Sequence, residues 1–140
     1  MIEKNAILKL SFDFSLMVIR FCEELDEKRK YVISRQLLRS ATSIGANSFE
    51  AQNAESKADF IHKMKIAAKQ ADETQYWLML CDYAEEYSDC KPLLQKLDEI
   101  TKVLNKILSI AKGKITKLNT SLFYFLTCSC DWFFISKSAH

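Results

Sequence analysis

Apolar positions recur along this chain at alternating steps of three and four, the spacing of one helix face. In the first segment Ile7, Leu10, Phe14, Met17 and Phe21 follow that rhythm, and Leu25 extends it. The charged run Glu23–Lys30 is expected to end this helix and make the first connection. A second helix is predicted over about Tyr31 to Ala54, with Ile33, Leu37, Ala41, Ile44 and Ser48 as its inward row. The third carries the longest seam: Phe60, Met64, Ala67, Ala71, Thr74, Leu78 and Cys81. Ser56 is its expected N-cap, with Asp59 three residues on. Trp77, Leu80, Ala84 and Tyr87 form a second apolar line, so this helix should meet more than one neighbour. Ser88–Pro92 is the clearest turn, with Ser88 or Asp89 as a cap, since proline suits the first turn of a helix. The fourth seam is Leu93, Leu97, Ile100, Leu104, Ile107 and Ala111, flanked by Val103 and Ile110, and Gly113 is the expected stop.

Seams of this kind pack at shallow angles, and short connections favour antiparallel neighbours. The fold expected is therefore all-α, an antiparallel up-down four-helix bundle. The 140 residues allow one domain with a sizeable core. Two Gly and one Pro leave little material for turns, which agrees with helix throughout. The bundle is assigned to residues 1–117.

Residues 37–51, LLRSATSIGANSFEA, start as an ordinary amphipathic helix and then depart from one. Arg39, Ser43, Asn47 and Glu50 form a polar row beside the apolar one, and Gly45 lies within the helix. Gly, Ser and Asn are poor helix-interior residues in water, so they point to close packing or a local kink. Ser43, Asn47, Glu50 and Glu73 are read as a buried polar network, with a functional pocket on this row as the alternative.

The same stretch carries a family resemblance. RSATSIGANSFEAQNA from Arg39, then ESKADF from Glu55 and ETQYWL from Glu73, resembles four-helix-bundle proteins encoded in intervening sequences of bacterial 23S rRNA genes. A related branch is the accessory protein of diversity-generating retroelements. The resemblance spans roughly residues 5–114. It implies a homopentameric ring around a central channel, and no defined catalytic activity. For the retroelement branch it implies work with RNA and a reverse transcriptase, through a strongly basic ring. Lys and Arg total 20 against 18 acidic residues here, a net charge of only +2. Any nucleic-acid site must then be a local patch, or one multiplied by oligomerisation.

Candidates for such a patch are Lys28, Arg29 and Lys30 at the first connection, Arg35 and Arg39 on the second helix, and Lys63, Lys65 and Lys69, with Lys57, on the third. Lys102, Lys106, Lys112, Lys114 and Lys117 follow on the fourth. The start of helix three and the end of helix four fall at one end of an up-down bundle, where the basic residues are expected to make a single positive end. The patch would hold RNA or DNA through phosphate, tolerant of sequence and sensitive to salt. The rival class is a protein-interaction scaffold with no nucleic-acid role.

Catalysis is not expected. The two histidines, His62 and His140, lie in no ligand or triad spacing, and the glycines are isolated. Glu50 and Glu73 are more readily tied up by basic or amide side chains than paired as an acid and base. The cysteines, Cys22, Cys81, Cys90, Cys128 and Cys130, are odd in number and irregular in spacing. No metal, cofactor or signal peptide is expected, and a cytoplasmic location follows.

Residues 118–140 lie outside the family pattern. Six of the 16 aromatic residues fall here, with one Lys and one Asp. The run Leu122–Ile135 is too short for a membrane span, which needs ~20 apolar residues. It reads as an extension docking on the bundle or a partner, a membrane-surface anchor, or a translated extension without an evolved role.

Overall fold

The structure is a computed structural model that describes residues 2–84 and 86–113. After a short 3-10 turn at Ile2–Lys4 come four helices: α1 (Ala6–Glu27), α2 (Tyr31–Ala51), α3 (Lys57–Tyr83) and α4 (Lys91–Ala111). α1 packs on α2 and α4, and α3 packs on the same two, so α1 and α3 stand on a diagonal. The expected four-helix bundle is the fold.

Side-chain contacts fix its two ends. At the proximal end, Asn5 caps α1, its Oδ1 accepting from the Leu8 amide at 3.5 Å. Its Nδ2 donates to Gln52 Oε1 at 3.0 Å, tying the start of α1 to the end of α2. α3 starts there too: Ser56 Oγ accepts from the Asp59 amide, while Asp59 Oδ2 accepts from the Glu55 amide. At the distal end, Lys28 Nζ donates to Ser88 Oγ at 2.8 Å, and Lys30 pairs with Glu86 and lies 5.3 Å from the Tyr87 ring centre. The α1–α2 and α3–α4 connections therefore sit together.

The charged run does not end α1 at its beginning. Glu, Leu and Lys are good helix formers, and the helix continues to Glu27. The chain leaves it through Arg29 at φ 58, with the Lys30 amide reaching back to the Leu25 carbonyl. α2 stops at Ala51, three residues short of expectation. α3 stops at Tyr83, which leaves Ala84 and Tyr87 in the connection. Cys90 takes the N-cap position of α4 without a side-chain cap bond, while Asp89 Oδ1 accepts from the Lys91 amide at 3.0 Å. Gly113 ends the helix at φ +70, as expected of a C′ glycine.

Every residue of the α3 and α4 seams is buried. Small residues bring α2 and α3 close: Ser40, Ala41 and Ser48 on one, Ala67 and Ala71 on the other, all at or near zero exposure. Buried hydroxyls are satisfied locally. Ser48 donates to the Ile44 carbonyl, and Thr74 lies 3.0 Å from Ser40 across the α2–α3 contact. Between α1 and α2, Ser34 donates to the Cys22 carbonyl and Cys22 Sγ to the Ser34 carbonyl.

α2 runs unbroken through Gly45, which meets Ser11 of α1. A Cβ added there would stand 3.4 Å from Ser11 Oγ, an ordinary contact. Gly45→Ala is therefore expected to stabilise the bundle by about 0.5–1 kcal/mol, the helix-propensity difference. A raised urea midpoint is the check, and a lowered one would mean that the α1–α2 approach needs the missing methyl.

Candidate functional site

The polar row of α2 lies at the rim and not in the interior. Ser43 and Asn47 are half-buried and bond within their own helix, Ser43 Oγ to the Arg39 carbonyl and Asn47 Nδ2 to the Ser43 carbonyl. Exposed Glu50 accepts from Lys63 Nζ at 2.5 Å. Half-buried Glu73 pairs with Arg39 and accepts from Trp77 Nε1 at 3.4 Å. The two carboxylates thus bind separate partners along the α2–α3 seam. Among the described residues the buried polar set is Asn5, Ser11, Ser34, Ser40, Ser48 and Thr74. Asn5 is the cap of α1 and Ser34 bonds across to α1, while Ser11, Ser40, Ser48 and Thr74 lie on inward faces, where a hydroxyl is short enough to bond its own helix backbone.

The start of α3 and the end of α4 share the proximal end, as expected, but the basic candidates do not all gather there. Lys28, Arg29 and Lys30 lie at the distal end beside the α3–α4 connection, with Arg35 in the first turns of α2. Lys57, Lys63, Lys65 and Lys69 occupy the proximal half of α3. Helix length keeps the groups apart, because consecutive helices reverse direction. Pairing divides them further. Lys30 bonds Glu86, which raises the lysine's pKa and lowers that of the carboxyl. Lys63 bonds Glu50, which raises its pKa. Lys102 of α4 holds Asp98 at 2.6 Å. Lys114 and Lys117 lie outside the described residues.

Like Arg29, Arg35 and Lys57, Lys65 and Lys69 are exposed, with no ion pair among the described residues. With exposed His62 they make a row at steps of three and four on the outer face of α3. The same face changes character after Asp72. Tyr76, Met79, Leu80 and Tyr83 follow at helical spacing, and all are exposed, Tyr83 by 83%. Leu80, expected on a second apolar face that meets a neighbour, thus faces outward with Tyr76, Met79 and Tyr83. Their spacing from Lys69 and Asp72 continues the solvent row. A second apolar stripe lies on α1, where Phe12, Leu16 and Ile19 are exposed at steps of four and three.

The chemistry of the remaining groups is limited. Cys22, Cys81 and Cys90 are free and buried, and desolvation pushes the Cys22 thiol to about 11 and Cys81 to about 12. Such thiols are poor nucleophiles near neutral pH. Among the described residues, no three His, Cys, Asp or Glu side chains converge as a metal site. No helix among them is long and apolar enough to cross a membrane.

The model of the 23S rRNA-intervening sequence protein family matches residues 3–106. The chain is also similar to a solved protein of unknown function from the S23 ribosomal protein family of Bacteroides thetaiotaomicron. The two are 39% identical, with a TM-score of 0.71 over 74% of this chain and 98% of that one. No curated protein matches. With the four helices in the expected order, these matches settle the family: this chain belongs to the 23S rRNA-intervening sequence proteins.

Proposed function

We propose that this chain is a non-catalytic assembly protein whose copies join through apolar helix faces and hold RNA along the basic half of α3. The carrying observation is the divided outer face of α3, with His62, Lys65 and Lys69 before Asp72 and four exposed large apolar side chains after it. An apolar stripe of that size favours a protein contact. The second stripe, through Leu16 and Ile19, lies on the diagonally opposite helix. Two unlike faces pointing apart favour head-to-tail addition, which gives a ring when the rotation closes. Five copies is the number the family resemblance implies. Free buried thiols support a reducing, cytoplasmic setting.

Ring closure would repeat Lys65 and Lys69 around an axis, which offsets the small net charge of one chain. A strongly basic ring of the kind that serves a reverse transcriptase is not supported by a net of +2. The test is absolute mass by light scattering, with and without a single-stranded RNA oligonucleotide at low salt. A multimer that takes up RNA, and releases it steeply as salt rises, is the expected result. Lys65→Glu with Lys69→Glu should abolish uptake and leave mass and helicity unchanged. Uptake that survives the double reversal would remove these lysines from the role.

The scaffold reading has its own observation, the ion pairs that engage Arg39 and Lys63. A multimer of constant mass from low to high salt, indifferent to RNA, would select it.

A further inference from the structure

At the proximal end, α1 and α2 leave an outward groove of about 430 Å³, lined by Ile2, Leu8, Phe12, Gly45, Ala46 and Phe49 among others. Its volume is in the range of ligand and side-chain pockets. Its hydroxyls are already engaged. Ser11 donates to the Ile7 carbonyl at 2.7 Å, Ser15 to the Ser11 carbonyl at 2.8 Å, and Thr42 to the Leu38 carbonyl at 2.7 Å. Glu50 at the rim is paired with Lys63. A phosphate or sugar would find few donors there, whereas an apolar side chain would cover Phe12 and Phe49, which are 49% and 45% exposed.

We propose that the apolar segment 122–135 of this same chain occupies the groove between α1 and α2. Composition, position and reach support this occupant. The segment, LFYFLTCSCDWFFI, carries one charge in a run otherwise rich in aromatic and aliphatic residues. α4 runs back along α3 and finishes at the proximal end, where α1 begins and the groove opens. α1 is also a direct neighbour of α4. From Gly113 to Leu122 the chain can extend roughly 30 Å, and a helix with its side chains is only ~10–12 Å across. The family match ends at residue 106, and the Bacteroides chain is matched over nearly all its length by 74% of this one. The family bundle thus stands without this segment, whose docking is an addition to the shared fold.

The test uses the full chain with Ala46→Cys under a mild thiol oxidant. Cys22, Cys81 and Cys90 are buried, so the new thiol has Cys128 and Cys130 as its available partners. The expected product is a disulfide within one chain, joining residue 46 to 128 or 130. It should form at a rate unchanged by tenfold dilution, and at least tenfold faster than with Arg35→Cys at the other end of α2. Absence of that link would overturn the proposal, and a link only between chains, its rate falling on dilution, would overturn it in favour of a second copy as the occupant. An optical readout covers poor folding of the cysteine variant. With Trp77→Phe, Trp132 is the remaining tryptophan of two. Its emission should be blue-shifted and protected from iodide, and adding Ala46→Lys should expose it. Emission at the position of free tryptophan before that change would count against docking.

Discussion

Phe14→Ala lowers the unfolding free energy by roughly 3–5 kcal/mol, the usual loss for a large aromatic removed from a packed core. Phe14 has no exposed surface and belongs to the core cluster that the four helices share. The loss combines transfer of the ring with a cavity that the surrounding helices fill only in part. Small domains hold a total of ~5–15 kcal/mol, so the variant would lose a large share of its stability. Urea denaturation followed by circular dichroism is the check. The midpoint should fall while the slope holds, which marks a change in stability and not in the surface exposed. A change below about 1 kcal/mol, the scale of an exposed ion pair, would mean that Phe14 is not a core residue.

The legible part of the fold is the part set by a narrow seam. α3 and α4 bury the residues that their alternating steps selected, because each presents a row of apolar or small side chains bounded by charge. α1 was legible only in part. Leu10 and Met17 are half-buried, while Leu8, Ser11 and Val18 go inside. Its apolar residues cover more than half the helix, and periodicity alone does not choose among overlapping rows. Packing chose, by setting Ser11 against Gly45. The candidate site was harder still. Arg39 meets Glu73, and Lys63 meets Glu50, across separations that no local pattern reveals. The separation of Lys28–Lys30 from Lys65 and Lys69 was derivable from up-down topology alone. Adjacent helices reverse direction, which assigns those residues to opposite ends.

That topology also isolates the surface on which assembly is most exposed to test. If copies join through α3 as proposed, Tyr76→Glu with Leu80→Glu should reduce the assembly to the mass of one chain. Both side chains point outward from α3, 57% and 41% exposed, so two carboxylates there meet water in the single chain. Surface changes of this kind usually shift stability by about 0.5 kcal/mol or less. In an assembled contact the balance differs. Full burial of one large apolar side chain contributes roughly 1.5–3 kcal/mol, and an unpaired carboxylate placed there adds a desolvation penalty of its own. The separation between these two scales makes the experiment selective. Light scattering should report one chain, while the circular dichroism spectrum and urea midpoint stay close to those of the parent. A multimer that persists would move the interface off α3. A variant that loses its helicity would instead mean that Tyr76 and Leu80 support the bundle, against their exposure. Under the expected outcome the proposed RNA uptake should weaken as well, although Lys65 and Lys69 are untouched, because it would then rest on one chain's lysines and not on those of a proposed ring.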